Sequence, residues 1–579
     1  MATKPRTPLL LLTSRSALLT LERRGFDLGS LLFGASNARS AQDLSTFTAY
    51  RDLTASIGRD LARARTRDPA LGEGMRFGHR AFPSSWLSSP AFHFELAAVV
   101  NRMDRKVFAP NTCGELRFIY RLGYRVSVEG TAVQSRLPMT INVVTWLPGP
   151  DCNSWLRRLE TVAGDTSLDS FSPALLTALQ LKSVEIDLQS ARWPSTVRPN
   201  MAGHAEYLMH VFKPVGSHAV ALGASAQRQQ ELRLQPAPLE NTPDVSKLQN
   251  QPALRKELLD WLAQPDVLAR ADQGTLLLPE KYLSHAALSV APHGMARLAN
   301  RPYSQLFKAH EFGALKLAEY RTFKSSEELL RRLDGLSCTG CHQTHSMAGF
   351  HVLGEDDPTR RADTLAVSHS SHVTHELTRR SAYLAALHTG ATPDDFRPPA
   401  ERPTAQGNYG DTCRPSGGAW SCATGLHCVP LTEEDWGQCL PSTARAGSAC
   451  EPGRMSTQAD PHRDFLKLTT PDDCGAHAVC ERSGVGFPGG MCAKSCAALQ
   501  PGERCGSIAV LDGFNTCLAR HEPFEQCIQS HARPAALRAC SANEPCRDDY
   551  VCARTAAGDG ACIPPYFLFQ LRVDGHVIP

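Results

Sequence analysis

Sixteen of the chain's twenty cysteines fall between Cys413 and Cys562, and they divide into four sets of four. The sets are Cys413, Cys422, Cys428 and Cys439; Cys450, Cys474, Cys480 and Cys492; Cys496, Cys505, Cys517 and Cys527; and Cys540, Cys546, Cys552 and Cys562. Five residues separate the second cysteine from the third in sets one, two and four, and nine to eleven separate the third from the fourth throughout. Set two carries an insertion over Glu451–Asp473, and set three has a longer middle gap. A near-constant period with the length variation held in one loop is the signature of a repeated module. Each module is too short to bury a sufficient core, so cross-links must stabilise it. Zinc knuckles would need tight Cys-x-x-Cys pairs, which this region lacks, so disulfides are the expected use. They call for an oxidising compartment: periplasm, cell surface or medium.

Upstream of the modules the cysteines are sparse. Cys113 and Cys152 are candidates to pair and tie two strand ends together. The remaining two stand in Ser337-Cys-Thr-Gly-Cys-His342. Ser325-Ser-Glu-Glu328 before them is a capping box, Leu329, Leu330 and Leu333 form an apolar helical face, and Gly335 is a plausible stop. Cys338-Thr-Gly-Cys341-His342 thus follows a short helix and resembles the haem-attachment motif of c-type cytochromes. The resemblance implies covalent haem c, with Cys338 and Cys341 as thioether bonds and His342 as proximal ligand of the iron.

The residues leave two other uses open: a zinc site of Cys338, Cys341, His345 and His351, or a disulfide between the two thiols. For the distal position of a haem iron, Met347 is too close to His342, and Met295 is the nearest earlier methionine. His351 is preferred, because nine residues and the pliable Ala348-Gly349 pair let the chain return an imidazole. His369, His372 and His375 hint at metal, but a helix turns the third away from the first. They read as polar loop histidines, and a zinc hydrolase built on them lacks a motif that places a general base.

The amino terminus gives no matching export signal. The apolar run Leu9–Leu12 is shorter than a signal peptide's hydrophobic core, and Arg15, Arg23 and Arg24 follow. The cysteines are the stronger argument, so export is expected. No stretch approaches the ~20 apolar residues of a membrane span. A net charge of +3 with 21% charged residues argues against a nucleic-acid partner.

The expected architecture is multi-domain. A mixed α+β region covers 1–250, with a helix carrying Phe47, Tyr50, Leu53, Ile57, Leu61 and Ala64 on one face. Its strand candidates are Phe92–Asn101, Leu116–Val128, Leu137–Leu147 and Ala205–Lys213. Val99–Arg105 ends a strand in polar residues, as a solvated turn or a site would. A mainly helical, cytochrome c-like segment covers 251–390, with helices at Leu254–Leu262 and Leu306–Tyr320. A proline-rich linker follows at 391–411, then the disulfide-rich modules at 412–563, and a strand-like tail at 564–579.

The whole chain is also similar to large exported bacterial proteins of unestablished activity that join these parts. It shares motifs of the type Asn101-Arg-Met-Asp104, Gly114-Glu-Leu-Arg117 and Phe350-His351. The modules, with spacings such as Cys422–Cys428, loosely resemble Dickkopf or EGF-type cysteine-rich modules. The expectation is an exported mono-haem protein for electron transfer or haem redox chemistry, docking through its tail to a redox partner or surface ligand. The alternative is a non-enzymatic surface or secreted binding protein in which the Cys-x-x-Cys-His segment holds zinc or a disulfide.

Overall fold

A computed structural model of the chain describes residues 6–440 apart from short interruptions, the longest at 194–203, 223–230 and 355–368. Beyond 440 it describes only the strands Ala478–Glu481, Met491–Lys494, Ala539–Cys540, Val551–Arg554 and Gly560–Ile563. The third cysteine set, the 564–579 tail and Met347 lie outside the described residues.

The centre of the molecule is an eleven-stranded mixed sheet. Its spine is an antiparallel meander of β1 (Leu11–Leu12), β2 (Phe92–Arg102), β3 (Thr112–Val128), β4 (Thr131–Pro148), β5 (Gln180–Trp193), β6 (His204–Pro214) and β7 (Leu234–Ala237). Leu71–Gly72 and His79–Ala81 add a parallel pair at one side. Period-2 alternation sorts the two faces. Leu116, Phe118, Tyr120 and Leu122 on β3, with Val184, Ile186 and Leu188 on β5, enter one large apolar core. The helix α1 (Thr48–Arg67) closes that core with Tyr50, Leu53, Ile57 and Leu61. Glu115, Arg117 and Arg121 on β3, with Glu185, Asp187 and Gln189 on β5, occupy the alternate positions on the other face.

The segment after residue 240 covers this polar face, and here the expectation of a mainly helical, cytochrome c-like segment over 251–390 is overturned. The segment contributes a strand, β8 (Ala286–Ala291), which pairs antiparallel with β6 from Ala205↔Ala291 to His210↔Ala286. Its six residues, Ala-Ala-Leu-Ser-Val-Ala, carry no clear period. The strand exists because the edge of β6 has backbone groups to satisfy. The expected helix at Leu306–Tyr320 is also absent. A short helix, Pro302–Leu306, starts at a proline and a single tight turn, Ala309–Phe312, follows it.

Two expected helices are present, at Pro252–Leu262 and at α2 (Ser326–Leu336), where the Ser325 hydroxyl accepts from the Glu328 N–H at 3.3 Å. The helix α3 (Cys338–Gln343) begins at once, capped by Ser337, whose hydroxyl accepts from the Gly340 N–H at 3.1 Å. A Cβ on Gly340 would lie 2.2 Å from the Asp334 carbonyl and 2.9 Å from the Met295 sulfur, so only glycine fits that crossing.

Cys113 and Cys152 form a disulfide at the end of β3. In the first module, Cys413 bonds Cys428 and Cys422 bonds Cys439 around a small sheet of β9 (Thr412–Cys413), β10 (His427–Pro430) and β11 (Gly437–Leu440). The module rests on α2 through Trp436, 5.2 Å below the Arg331 guanidinium, and through the Arg414–Glu328 ion pair at 3.5 Å. The 391–411 stretch runs along the body, with the Arg397 N–H donating to the Gln273 carbonyl at 2.9 Å. No helix among the described residues is long and apolar enough to cross a membrane.

Candidate functional site

Helix α3 lies between β8 and the polar face of the sheet, which fixes where its side chains go. Cys338 and Cys341 are half-buried, and among the described residues they are the only free cysteines. The Cys338 N–H donates to the Thr242 hydroxyl at 2.9 Å, and its thiol donates to the Glu240 carbonyl at 3.4 Å. Burial pushes the Cys338 thiol up to about 12 and raises that of Cys341, so both are protonated at neutral pH.

His342 turns the other way, toward β5, where its Nδ1 lies 3.0 Å from Asp187 Oδ2. Burial opposes a charge on this ring, but the Asp187 carboxylate prevails and holds its pKa above the ordinary value. The Gly349 backbone carbonyl adds to this stabilisation of the charged ring.

The structure brings His351 to the same place. Its ring centroid is 5.4 Å from that of His342 and 4.8 Å from that of His372. Nδ1 is hydrogen-bonded to the Ser370 hydroxyl at 2.9 Å, and Nε2 is buried without a hydrogen-bond partner. Gly349, at φ +88°, makes the return possible, since a Cβ there would meet the Tyr207 ring at 2.6 Å.

His372 stands in the first turn of α4 (Ser371–Thr389), so the 369–376 histidines are not all loop residues. Burial drives its pKa down to about 3, and that of His351 is also depressed by burial, so both imidazoles are neutral ligands in waiting. One donor atom each from Cys341, His351 and His372 lie within 4.8 Å of one another, as a metal ion requires.

The zinc set Cys338, Cys341, His345 and His351 is not gathered. His345 points to the 391–411 stretch, with Nε2 3.2 Å from Asp411 Oδ1 and 3.2 Å from the Glu401 carbonyl, while Cys338 turns to Glu240. His372 takes the place expected of His345. The missed signal was Ser370, an N-cap residue whose helix sets His372 one turn before Glu376. The proximity of Cys413, Cys422 and Cys439 sulfurs belongs to two disulfides and leaves no thiolate for a metal.

The Val99–Arg105 stretch is no solvated turn. Asn101, Asp104 and Arg105 are buried, and Arg105 binds both Glu115 and Glu240. Glu115 also binds Arg117 and Lys182, and Arg117 reaches Glu185 at 3.1 Å. This network lies directly under Cys338. Compared with known protein families, curated proteins and solved structures, the chain matches none of them.

Proposed function

We infer that the Cys338–His342 segment attaches a haem covalently and that the protein works as an exported haem redox protein, in the periplasm or beyond. The carrying observation is a contrast in cysteine chemistry. The six other cysteines whose side chains are described pair in three disulfides, while Cys338 and Cys341, one helical turn apart, stay free beside an imidazole anchored through Nδ1. In an oxidising compartment, two thiols this close persist when something else holds them. Cys338 and Cys341 would form the thioether bonds. His342 Nε2 would face the iron, and the orphaned His351 Nε2 is the best placed distal donor. The group supplies one-electron chemistry. The chain fixes the proximal ring through Asp187, which makes the imidazole a stronger donor.

Expression with export and haem-maturation machinery should give a chromophore that survives denaturation and acid–acetone extraction. A colourless product overturns the reading. A second reading has its own observation: Cys341, His351 and His372 converge as a three-donor site for a zinc-like ion. Elemental analysis separates the two, since one zinc per chain with no iron supports the ion.

A further inference from the structure

Three separate segments deliver arginines to the flank of the Cys341–His351–His372 cluster. Arg102 ends β2, Arg379 and Arg380 stand on α4, and Arg397 lies in the stretch that follows. Asp104 accepts from Arg102 at 2.9 and 3.2 Å and from Arg379 at 2.6 Å. Glu376 accepts from Arg379 at 2.7 and 3.1 Å and from Arg380 at 3.3 and 3.4 Å. Asp395, the remaining acid nearby, is turned to Tyr383.

Arg397 has no carboxylate within ion-pair distance among the described residues, and its guanidinium stands 5.7 Å from the Phe108 ring. Four arginines, Arg102, Arg379, Arg380 and Arg397, therefore stand against the two carboxylates that pair among them, Asp104 and Glu376, and Arg397, Arg102, Arg380 and Glu376 all act on the Cys341 thiol. Three of these arginines are far from bulk water, with side chains 12%, 15% and 5% exposed at Arg102, Arg379 and Arg380, and Arg397 is half-buried. A buried excess of positive charge is costly unless an anion completes it. Guanidinium groups suit carboxylates best, because the fork matches two oxygens.

We propose that this arginine face is a seat for a carboxylate-bearing group lying against Cys341 and His372, with Arg397 as the residue whose partner is the ligand. The carboxylate belongs either to the porphyrin attached at Cys338 and Cys341, a source that rests on the haem reading, or to a free small carboxylate.

The test uses the full chain with Arg397→Gln and Arg397→Lys, their folding verified by circular dichroism. In the haem-loaded protein, Arg397→Gln should lower the midpoint potential, since a lost cation favours the ferric state, and Arg397→Lys should retain most of the wild-type value. In the haem-free protein, calorimetry with succinate should show binding that Arg397→Gln weakens at least tenfold. A shifted potential without succinate binding assigns the seat to the porphyrin, and succinate binding assigns it to a free anion. Wild-type potential together with no succinate binding overturns the proposal while leaving haem attachment intact. A chain that takes up no haem defeats the haem reading, and the succinate titration then decides alone, with no binding overturning the seat.

Discussion

The sheet body and the first cysteine module solve the same stability problem with opposite means. The body buries dozens of apolar side chains between α1, the other amino-terminal helices and one face of the sheet. It contains one disulfide, at the end of β3. The module from Cys413 to Cys439 has two disulfides, and Trp420 against Trp436 makes up much of its apolar interior, with ring centroids 5.0 Å apart. Where apolar area is ample, cysteines are released from structural duty, and the body is where Cys338 and Cys341 stay free. Where it is scarce, in the first module, all four cysteines are staples.

Glu115→Gln should hurt the body most. It takes Lys182's ion-pair partner and one of the two carboxylates that each of Arg105 and Arg117 binds, in a site where Glu115 is 1% exposed, a loss of about 3 kcal/mol. Chemical denaturation read by body tryptophans should register it, and a module monitored by disulfide-protected proteolysis should not. The same carboxylate sets a pH signature. Burial opposes its charge, but Arg105, Arg117 and Lys182 hold its pKa well below the usual range. Its contribution is therefore complete above pH ~4.5 and is lost as pH falls toward the depressed folded value. Acid should melt the body of the wild type more steeply than that of Glu115→Gln; parallel acid curves would remove Glu115 from the account.

Reduction should act on the other side of the comparison. Opening Cys422–Cys439 by Cys422→Ala with Cys439→Ala should destabilise the module by about 3 kcal/mol, as expected for a loop of this length. Limited proteolysis should then cut within 413–439 while the body's transition midpoint stays put. If body and module lose structure together under mild reductant, contacts such as Arg414–Glu328 and Arg331 over Trp436 fuse them into one unit and the contrast fails.

A finer prediction concerns connectivity and costs no stability. Cys428↔Cys439, Cys480↔Cys492 and Cys552↔Cys562 are cross-strand partners in the same register, and Cys413↔Gly437 is matched by Cys540↔Gly560. Peptide mapping should find Cys540–Cys552 and Cys546–Cys562, repeating the first-to-third and second-to-fourth pattern of the first module. A different pairing would break the repeat. Counting thiols in denaturant sharpens the body side: Cys338 and Cys341 should account for two free thiols in haem-free protein and none after covalent attachment.

Much was legible locally. Four strands of the sheet sit where the sequence put them, α1 and α2 where apolar spacing and a cap put them, and the first module where its four cysteines put it. Each of these signals lies within a few neighbouring residues. The free thiols and His342 were equally legible as a motif. The strand Ala286–Ala291 was not, because its apolar run has no period and its identity comes from the open edge of β6. His372 was passed over because a helix spacing says nothing about which residues from other segments meet it.

By itself, then, the sequence determined the covalent logic of the described residues: that the first cysteine set serves as staples, which two cysteines stand beside a histidine, and what oxidising surroundings the pairs demand. Only the tertiary structure decided what surrounds the motif. Asp187 on His342, His351 and His372 beside Cys341, and the arginines from residues 102 to 397 come from segments up to about 300 residues apart. Their meeting is set by burial against one face of a sheet, a global free-energy minimum that no local pattern encodes.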